Sequence, residues 1–257
     1  MRIEDLDHAR LRPGSAAAIL TTLEAFELHW DGAIEYQSRR TEHYRAALER
    51  LEALGLTFPC SCSRRERASE AAGQGRYPGT CRGGTRHSGP SATRLWIDEQ
   101  LALTFEDTFQ GHIAFPAGTL GDVIVRRRDG VYAYQLAVVV DDALQGITAV
   151  VRGADLLEST GWQIALQRSL GLPRPRYAHL PLLTEPGGAK LAKSRHSLAL
   201  DPARAGAQLF QVLELLRQGP PPPLAGAPVR EVLAWALAHW QPAAFHGLRQ
   251  VALPAPT

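Results

Sequence analysis

The sequence predicts an α/β fold, because strand-like and helix-like segments alternate along it. The clearest signal is an apolar run at residues 136–140 that ends on Asp141 and Asp142. A second apolar run, at 147–151, is followed by Arg152 and then by a helical pattern. We interpret this order as strand, acidic turn, strand and helix. It places charged side chains at strand ends, where α/β folds build their sites.

Two amphipathic helices are predicted ahead of this segment. Residues 15–27 carry apolar side chains on one face, with Ser15 as the expected N-cap. Residues 38–54 show the same spacing, with Ser38 as the cap and Gly55 as the stop. The apolar face of the second helix comprises Tyr44, Ala47, Leu48, Leu51 and Leu54.

Shorter elements are predicted along the rest of the chain. A turn at 128–130 leads into a strand at 131–134, and residues 187–197 form a Gly- and Lys-containing loop. Gly219 and the prolines at 220–223 form a stiff spacer. The other predicted strands are 94–97, 101–105, 112–115, 122–126 and 177–183, the other predicted helices are 155–170, 202–217 and 229–240, and the tail from Pro242 is expected to be weakly structured.

Composition places the chain among ordinary globular proteins. It has 257 residues with 28 basic and 26 acidic side chains, and a net charge of +2 permits basic patches without identifying a nucleic-acid binder. Three cysteines are too few for a disulfide scaffold and favour metal binding or free thiols in a reducing compartment. Without a membrane-span or signal-peptide pattern, we expect a cytoplasmic monomer.

The region from 59 to 92 is rich in Gly, Ser, Arg, Pro and Cys and lacks a periodic apolar pattern, so it needs a staple. Cys60, Cys62 and Cys81 are candidate zinc ligands, because zinc takes four tetrahedral ligands and thiolates suit it. The alternative is three reduced structural thiols. The arginines of this region either contact RNA phosphates or form a solvated face.

Four separated motifs resemble the catalytic domain of class I glutamyl-tRNA synthetases. They are RIEDLD at 2–7, the cysteine cluster at 60–81, the segment at 133–160 and KLAKS at 190–194. The resemblance is closest to short members of the family, which transfer glutamate to queuosine in the anticodon of tRNA(Asp). It implies a Rossmann-like α/β catalytic fold with a zinc-stapled insert and a short helical C-terminal part.

On this resemblance, residues 1–58 are the first part of a nucleotide-binding fold, and 59–121 are an inserted zinc or acceptor-type subdomain. Residues 122–200 are the second half, and 201–257 are a short helical region. The family's first strand, first helix and His-x-Gly-His motif precede the segment matched at 2–7. Either the start codon is misassigned or the chain is truncated. We therefore expect exposed sheet edges and a chain that, as given, is poorly active or inactive.

The resemblance also implies a glutamate site formed by Glu4, Tyr134 and Arg152. Glu4 would accept the α-ammonium group, Tyr134 would line the pocket, and Arg152 would bind a carboxylate through its planar fork. The alternatives are an exposed acid, a core aromatic residue and a structural partner of Asp141 or Asp142. The two acids orient Arg152 or cap the turn in this interpretation.

The KLAKS segment resembles the Lys-Met-Ser-Lys-Ser loop of the family. Lys193 would be catalytic by holding the negative charge that develops as pyrophosphate leaves, and Lys190 would also bind ATP. Ala192 departs from the pattern, so one hydroxyl contact is lost. The alternative is a solvated basic loop.

For the metal site, the family pattern Tyr-x-x-x-Cys matches Tyr77 and Cys81, which implies Tyr77 as the fourth zinc ligand. His87 remains a competitor, because a tyrosine ligand is unusual.

The implied function is the activation of glutamate with ATP and Mg²⁺, followed by transfer to queuosine in tRNA(Asp). Two alternatives stay open. One is a fragment of a synthetase that charges tRNA(Glu), although the roughly sixty residues after Ser194 are few for an anticodon-binding domain. The other is a non-catalytic nucleic-acid or zinc-binding module.

Overall fold

A computed structural model describes residues 1–63, 65–66, 76–184 and 200–253 of the chain. Its α-helices are α1 (Ser15–Ala25), α2 (Thr41–Ala53), α3 (Tyr134–Leu144), α4 (Leu157–Leu170), α5 (Ala205–Leu215) and α6 (Val229–His239). Its strands are β1 (Arg2–Ile3), β2 (Glu35–Tyr36), β3 (Thr57–Cys60), β4 (Ala92–Leu95), β5 (Leu103–Asp107), β6 (Gly111–Phe115), β7 (Val123–Arg126), β8 (Ala149–Gly153), β9 (Arg176–Leu180), β10 (Leu182–Thr184) and β11 (Gln250–Ala252).

A mixed sheet of four strands carries the site described below. Its strand order is β6-β5-β9-β8. Strands β5 and β6 are antiparallel, whereas β9 runs parallel to both β5 and β8. The sheet therefore joins strands that precede and follow residue 121. The boundaries of the predicted subdomains stay a prediction.

Smaller sheets flank this one. Strands β3, β4 and β7 form an antiparallel sheet beside the cysteines, and β1 pairs in parallel with β2. Among the described residues β8 is an edge strand. Val151, which lies on this strand, is 61% exposed.

The main core lies where α2, α3 and α4 pack together and against the strands. Tyr44 and Leu51 of α2, Leu136 of α3, and Ile164 and Leu166 of α4 are fully buried. Burying an aliphatic or aromatic side chain of this size stabilises the fold by roughly 1.5–3 kcal/mol. The three helices are therefore held mainly by their apolar faces.

The predicted strand at 136–140 is wrong, because these residues lie inside helix α3. Every residue from 136 to 142 is buried, so these two turns of the helix are covered on all sides, although Leu144 at the end of the helix is exposed. A short apolar run does not distinguish a strand from a buried helix. Its valines favour a strand, and packing against α2 and α4 overrides that preference. The predicted strand at 131–134 is reduced to one bridge between Tyr132 and Arg126.

The caps also differ from expectation, although the helices at 15–27 and 38–54 are confirmed with shifted ends. Gly14 precedes α1 and Arg40 precedes α2, and neither Ser15 nor Ser38 caps a helix. Ser38 instead donates through its backbone N–H and its hydroxyl to Asp5, at 2.8 and 2.7 Å. Ser38, the predicted cap of α2, therefore binds Asp5 and does not cap the helix. Gly55 has a φ of 68°, as the predicted stop requires.

The expectation of a weakly structured tail after residue 242 is wrong for the described part. Phe245 is fully buried and packs edge-on against Phe109 at a centroid distance of 4.7 Å, and β11 pairs with β10. The strand predicted at 177–183 is divided into β9 and β10, which belong to different sheets, and the other predicted strands and helices are confirmed with shifts of a few residues at their ends. Among the described residues, no helix has the length and apolarity that crossing a bilayer demands.

Candidate active site and cysteine cluster

A cavity of about 840 Å³ lies between the β1–β2 pair and the edge strand β8. Its lining includes Glu4, which follows β1, Tyr134, which begins α3, and Arg152, which lies on β8. The structure thus brings these three predicted site residues together around one hollow. Lys190 and Lys193 lie outside the described residues.

The guanidinium group of Arg152 is held by neutral acceptors. Its Nε donates to Nε2 of His179 at 3.1 Å, and its Nη1 donates to the hydroxyl of Tyr134 at 3.2 Å. Its Nη2 donates to Oγ1 of Thr160 and to Oε1 of Gln163, both at 2.7 Å. These four hydrogen bonds fix the plane of the guanidinium and leave its positive charge without a carboxylate among these acceptors.

Among the described residues, two polar hydrogens at this wall of the cavity have no acceptor within the protein. Nη1 of Arg152 carries a second N–H, and the hydroxyl of Tyr134 accepts from Arg152 and so keeps its own proton for donation. Both side chains line the cavity. A carboxylate can therefore accept from both at once, in a charge-assisted arrangement.

Behind Arg152 lies a buried acid–imidazole pair. Nδ1 of His179 is 2.6 Å from Oδ2 of Asp107, and both side chains are fully buried. Burial lowers the pKa of His179, and the neighbouring Asp107 only partly offsets this. Burial raises the pKa of Asp107, but hydrogen bonds from His179 and from backbone N–H groups outweigh burial and hold that pKa below its usual value. The pair is a neutral imidazole beside an ionised carboxylate.

The lining of the cavity also includes two acidic side chains that pair with Arg2. Nη1 of Arg2 lies 2.8 Å from Oδ1 of Asp142, and Nη2 of Arg2 lies 3.2 Å from Oε1 of Glu4. Burial raises the pKa of Asp142, and the charge of Arg2 partly opposes this. Sequence reasoning missed Arg2 and Asp142 as lining residues. The available signal was that Arg2 and Glu4, two residues apart on an extended segment, share a face.

The interpretation that Asp141 or Asp142 orients Arg152 is wrong. The carboxylate of Asp141 is fully buried and accepts hydrogen bonds from Gln37, Arg40 and Tyr44. Asp142 pairs with Arg2. Both acids lie within α3 and not in a turn, so they cannot cap one.

The sulfur atoms of Cys60, Cys62 and Cys81 lie within 4.8 Å of one another, and all three residues are buried. The hydroxyl oxygen of Tyr77 lies 3.4 Å from Sγ of Cys60 and 3.7 Å from Sγ of Cys62. Three sulfurs and one phenol oxygen thus face a common point. This donor set fits zinc, which takes thiolate and oxygen ligands in a tetrahedron.

His87 does not face this cluster. Its Nε2 is 2.7 Å from Oε1 of Glu66, and its side chain is 54% exposed. The ring of Tyr77 is held in place by the guanidinium of Arg94, whose Cζ lies 3.7 Å from the ring centroid, with the Tyr77 hydroxyl beside the sulfur atoms. The geometry favours Tyr77 over His87 as the fourth donor.

One of the arginines near the cysteines has internal partners. Arg82 donates to both carboxylate oxygens of Asp122 at 2.8 Å and to Glu99 at 2.8 Å. This arginine therefore stabilises the insert. Arg64 and Arg67 lie outside the described residues.

Comparisons with known proteins identify the family of this chain. Residues 1–208 match the family described as tRNA synthetases class I (E and Q), catalytic domain. The chain belongs to this family and is an aminoacyl-tRNA synthetase-like ligase.

The relatives are more specific than the family. The chain is 48% identical over 241 residues to the glutamyl-Q tRNA(Asp) synthetase of Pseudomonas aeruginosa PAO1. The aligned region covers 93% of this chain and 81% of the relative. The chain is 49% identical over 247 residues to the protein of the same name from Aromatoleum aromaticum, with 93% and 77% covered.

Solved structures show the fold. The glutamate-tRNA synthetase of Elizabethkingia anophelis matches 99% of the chain with a TM-score of 0.74 at 21% identity. A glutamate tRNA ligase from Elizabethkingia meningosepticum matches with a TM-score of 0.75 at 20% identity. The chain spans 61% and 60% of their lengths. The architecture is the class I synthetase catalytic fold with mixed α/β sheets.

Proposed function

We propose that this protein activates glutamate with ATP and transfers the glutamyl group to queuosine in the anticodon of tRNA(Asp). The observation that carries the proposal is the cavity wall formed by Arg152 and Tyr134, which offers N–H and O–H donors beside a guanidinium whose described hydrogen-bond partners are all neutral. The names of the relatives at 48–49% identity support the choice of substrate and tRNA.

Glutamate carries two carboxylates and one ammonium group, and the cavity presents both signs of charge. Arg152 and Tyr134 bind one carboxylate in this proposal. Glu4, which lines the same cavity, binds the α-ammonium group, with Asp142 adding negative charge. Arg2 shares the carboxylate of Glu4, so the ammonium group competes with or displaces part of that ion pair.

Activation requires attack by an oxygen of the substrate's α-carboxylate on the α-phosphorus of ATP. The bond to the bridging oxygen breaks, and pyrophosphate leaves with its electron pair. In this proposal Lys193 and Lys190 would stabilise the charge that develops on the leaving group, and Mg²⁺ bound with ATP would supply further positive charge. The protein contributes mainly position, because the substrate wall is fixed before the reaction.

Zinc has a structural role in this proposal. Cys60, Cys62, Cys81 and Tyr77 hold it, and it ties the β3 end of the insert to the segment around residue 81. A segment that lacks a periodic apolar face gains its stability from such a site.

Glutamate binding by calorimetry and glutamate-dependent ATP–pyrophosphate exchange without tRNA test the proposal. We expect the chain to bind L-glutamate, not to bind glutamine at the same concentrations, and to show weak exchange that depends on glutamate. Transfer is then measured to tRNA(Asp) with and without queuosine and to tRNA(Glu). We expect acceptance only by the queuosine form.

Each other outcome selects a different function. Exchange that requires tRNA(Glu), with charging of that tRNA, identifies a fragment of a glutamyl-tRNA synthetase. Absence of both glutamate binding and exchange overturns the proposal in favour of a non-catalytic module.

A further inference from the structure

Arg152 lines the ligand cavity and also contacts a buried chain of two side chains, His179 and Asp107, which we call the relay. The relay begins at Asp107, the last residue of β5, and passes through His179 on the neighbouring strand β9 to Arg152 on β8. The three residues lie on three adjacent strands of one sheet. Their side chains are joined by contacts of 2.6 Å and 3.1 Å.

Only one tautomer of His179 satisfies both contacts. Nε of a guanidinium can donate but cannot accept, so Nε2 of His179 must present its lone pair to Arg152. Nδ1 must then carry the proton and donate it to Asp107. Oγ1 of Thr160 also lies 3.1 Å from this Nε2, but its hydroxyl donates to the carbonyl oxygen of Leu156 at 3.1 Å.

Asp107 is itself held in place. Its Oδ1 accepts from the backbone N–H groups of Phe109, Gln110 and His179 at 3.0, 2.9 and 3.0 Å. Its Oδ2 is therefore left aimed at Nδ1 of His179. Backbone geometry, which does not depend on any side-chain rotamer, thus fixes the acceptor that selects the tautomer.

We propose that Asp107 and His179 are positioning residues that set the orientation of Arg152 for recognition of a substrate carboxylate. The acid selects the imidazole tautomer, the imidazole accepts the Nε proton of the arginine, and the arginine is thereby held with Nη1 toward Tyr134 and the cavity. The inference rests on the proposed glutamate site, because it supplies the function of the orientation. No residue of the relay touches the reacting atoms except through Arg152.

Asp107→Asn tests the relay by exchanging one oxygen for an NH₂ group. The amide oxygen keeps the backbone contacts of Oδ1, and the NH₂ group donates to Nδ1 of His179. The imidazole proton then moves to Nε2 and meets the N–H of Arg152. The matched control is Glu106→Gln, on the adjacent residue of β5, where the carboxylate lies 2.6 Å from Nδ1 of the exposed His112.

Three measurements distinguish positioning from general damage. Nitrogen-15 NMR of the imidazoles reports the His179 tautomer, calorimetry reports the glutamate Kd, and exchange kinetics separate the KM for glutamate from the KM for ATP. We expect Asp107→Asn to move the proton to Nε2 and to raise the Kd and KM for glutamate at least tenfold. The KM for ATP stays within about twofold, and Glu106→Gln matches the unmodified protein.

A pair of His179 variants keeps the proposal testable if Asp107→Asn does not fold. His179→Gln places an amide oxygen near the former Nε2 and preserves an acceptor for Arg152. His179→Asn preserves a donor to Asp107 but removes that acceptor. We expect the Asn variant to lose glutamate affinity at least fivefold more than the Gln variant.

Different results would reject the proposed glutamate-binding function and the positioning role of Asp107 and His179. If the unmodified protein and Glu106→Gln bind no glutamate, the proposed function fails, and the tautomer of His179 still reports whether the relay exists. If the unmodified protein binds glutamate, but Asp107→Asn changes the tautomer without changing the glutamate Kd, the positioning role is refuted. A proton on Nε2 of the unmodified protein refutes it as well.

Discussion

Nε of Arg40 donates to Oδ1 of Asp141 at 2.7 Å, and this contact joins the loop before α2 to the buried helix α3. Gln37 and the hydroxyl of Tyr44 donate to the other oxygen of the same carboxylate at 3.0 and 2.7 Å. A fully buried charge is tolerated only when it is paired and hydrogen-bonded. Three donors from around the start of α2 therefore meet one acid of α3.

Asp141→Asn should destabilise the fold by about 3 kcal/mol, because it leaves the guanidinium of Arg40 without its buried counter-charge. Urea unfolding at pH 7.5 measures the change. Glu42→Gln is the matched control on the exposed face of α2, where its side chain is 82% exposed and pairs with Arg45. It should change the free energy of unfolding by less than about 0.5 kcal/mol. Equal effects of the two variants would contradict the assigned role of Asp141.

Arg152→Lys should raise the KM for glutamate about 10- to 100-fold. An ammonium group keeps the charge, but it cannot reproduce the planar set of bonds to His179, Tyr134 and Thr160. Glutamate-dependent exchange measures the effect. Arg45→Lys, an exposed substitution on α2, should leave the KM unchanged. An Arg152→Lys enzyme with unaltered glutamate KM would remove Arg152 from the carboxylate site.

Cys62→Ser should lose bound zinc and lower the melting temperature, because the staple of the insert is lost. Elemental analysis of purified protein should give about one zinc per chain for the unmodified sequence. Tyr77→Phe should weaken zinc retention against a chelator, whereas His87→Ala should keep it, since His87 pairs with Glu66. Loss of zinc in His87→Ala with retention in Tyr77→Phe would show that His87, and not Tyr77, is the fourth zinc ligand.

Stability should fall as the pH is lowered from 7.5 to 5.5, in part because of His179. Burial lowers the pKa of His179 below its unfolded value of about 6.5. Below that value the unfolded chain binds a proton that the folded chain resists, so the unfolded state gains stability on acidification. His179→Gln should therefore show a smaller loss between the two pH values by urea unfolding. His112→Gln, on the exposed face of β6, should keep the full loss.

Gly121→Ala should destabilise the protein by roughly 1–3 kcal/mol, the usual cost of overpacking. A Cβ atom there would approach the backbone N and O of Tyr77 at 2.7 and 2.9 Å, and backbone cannot move aside as a side chain can. Gly226→Ala meets nothing within 4 Å and serves as the control for thermal unfolding. Gly121→Ala should also loosen zinc retention, because it displaces Tyr77. A variant as stable as the control would contradict the close packing at Gly121.

Local sequence patterns determined most helices and the cysteine cluster. Amphipathic spacing in α2 survives because one face of this helix meets the core, whereas α4 is buried on most of its sides and is followed by Gly171, whose φ is 62°. The sequence indicated that Cys60, Cys62 and Cys81 form one cluster, and their sulfur atoms lie within 4.8 Å of one another. The motifs at 2–7 and 133–160 correctly indicated residues that share a cavity.

Tertiary structure alone decided the identity of α3 and the surroundings of Arg152. The run at 136–140 carries no local signal that separates a strand from a helix buried on all sides, so its neighbours α2 and α4 made the choice. Asp107 and His179 are 72 residues apart, and only the pairing of β5 with β9 places them behind the arginine. Local preference fixes what a segment can become, but long-range pairing fixes which polar groups meet, because burial requires each of them to find a partner.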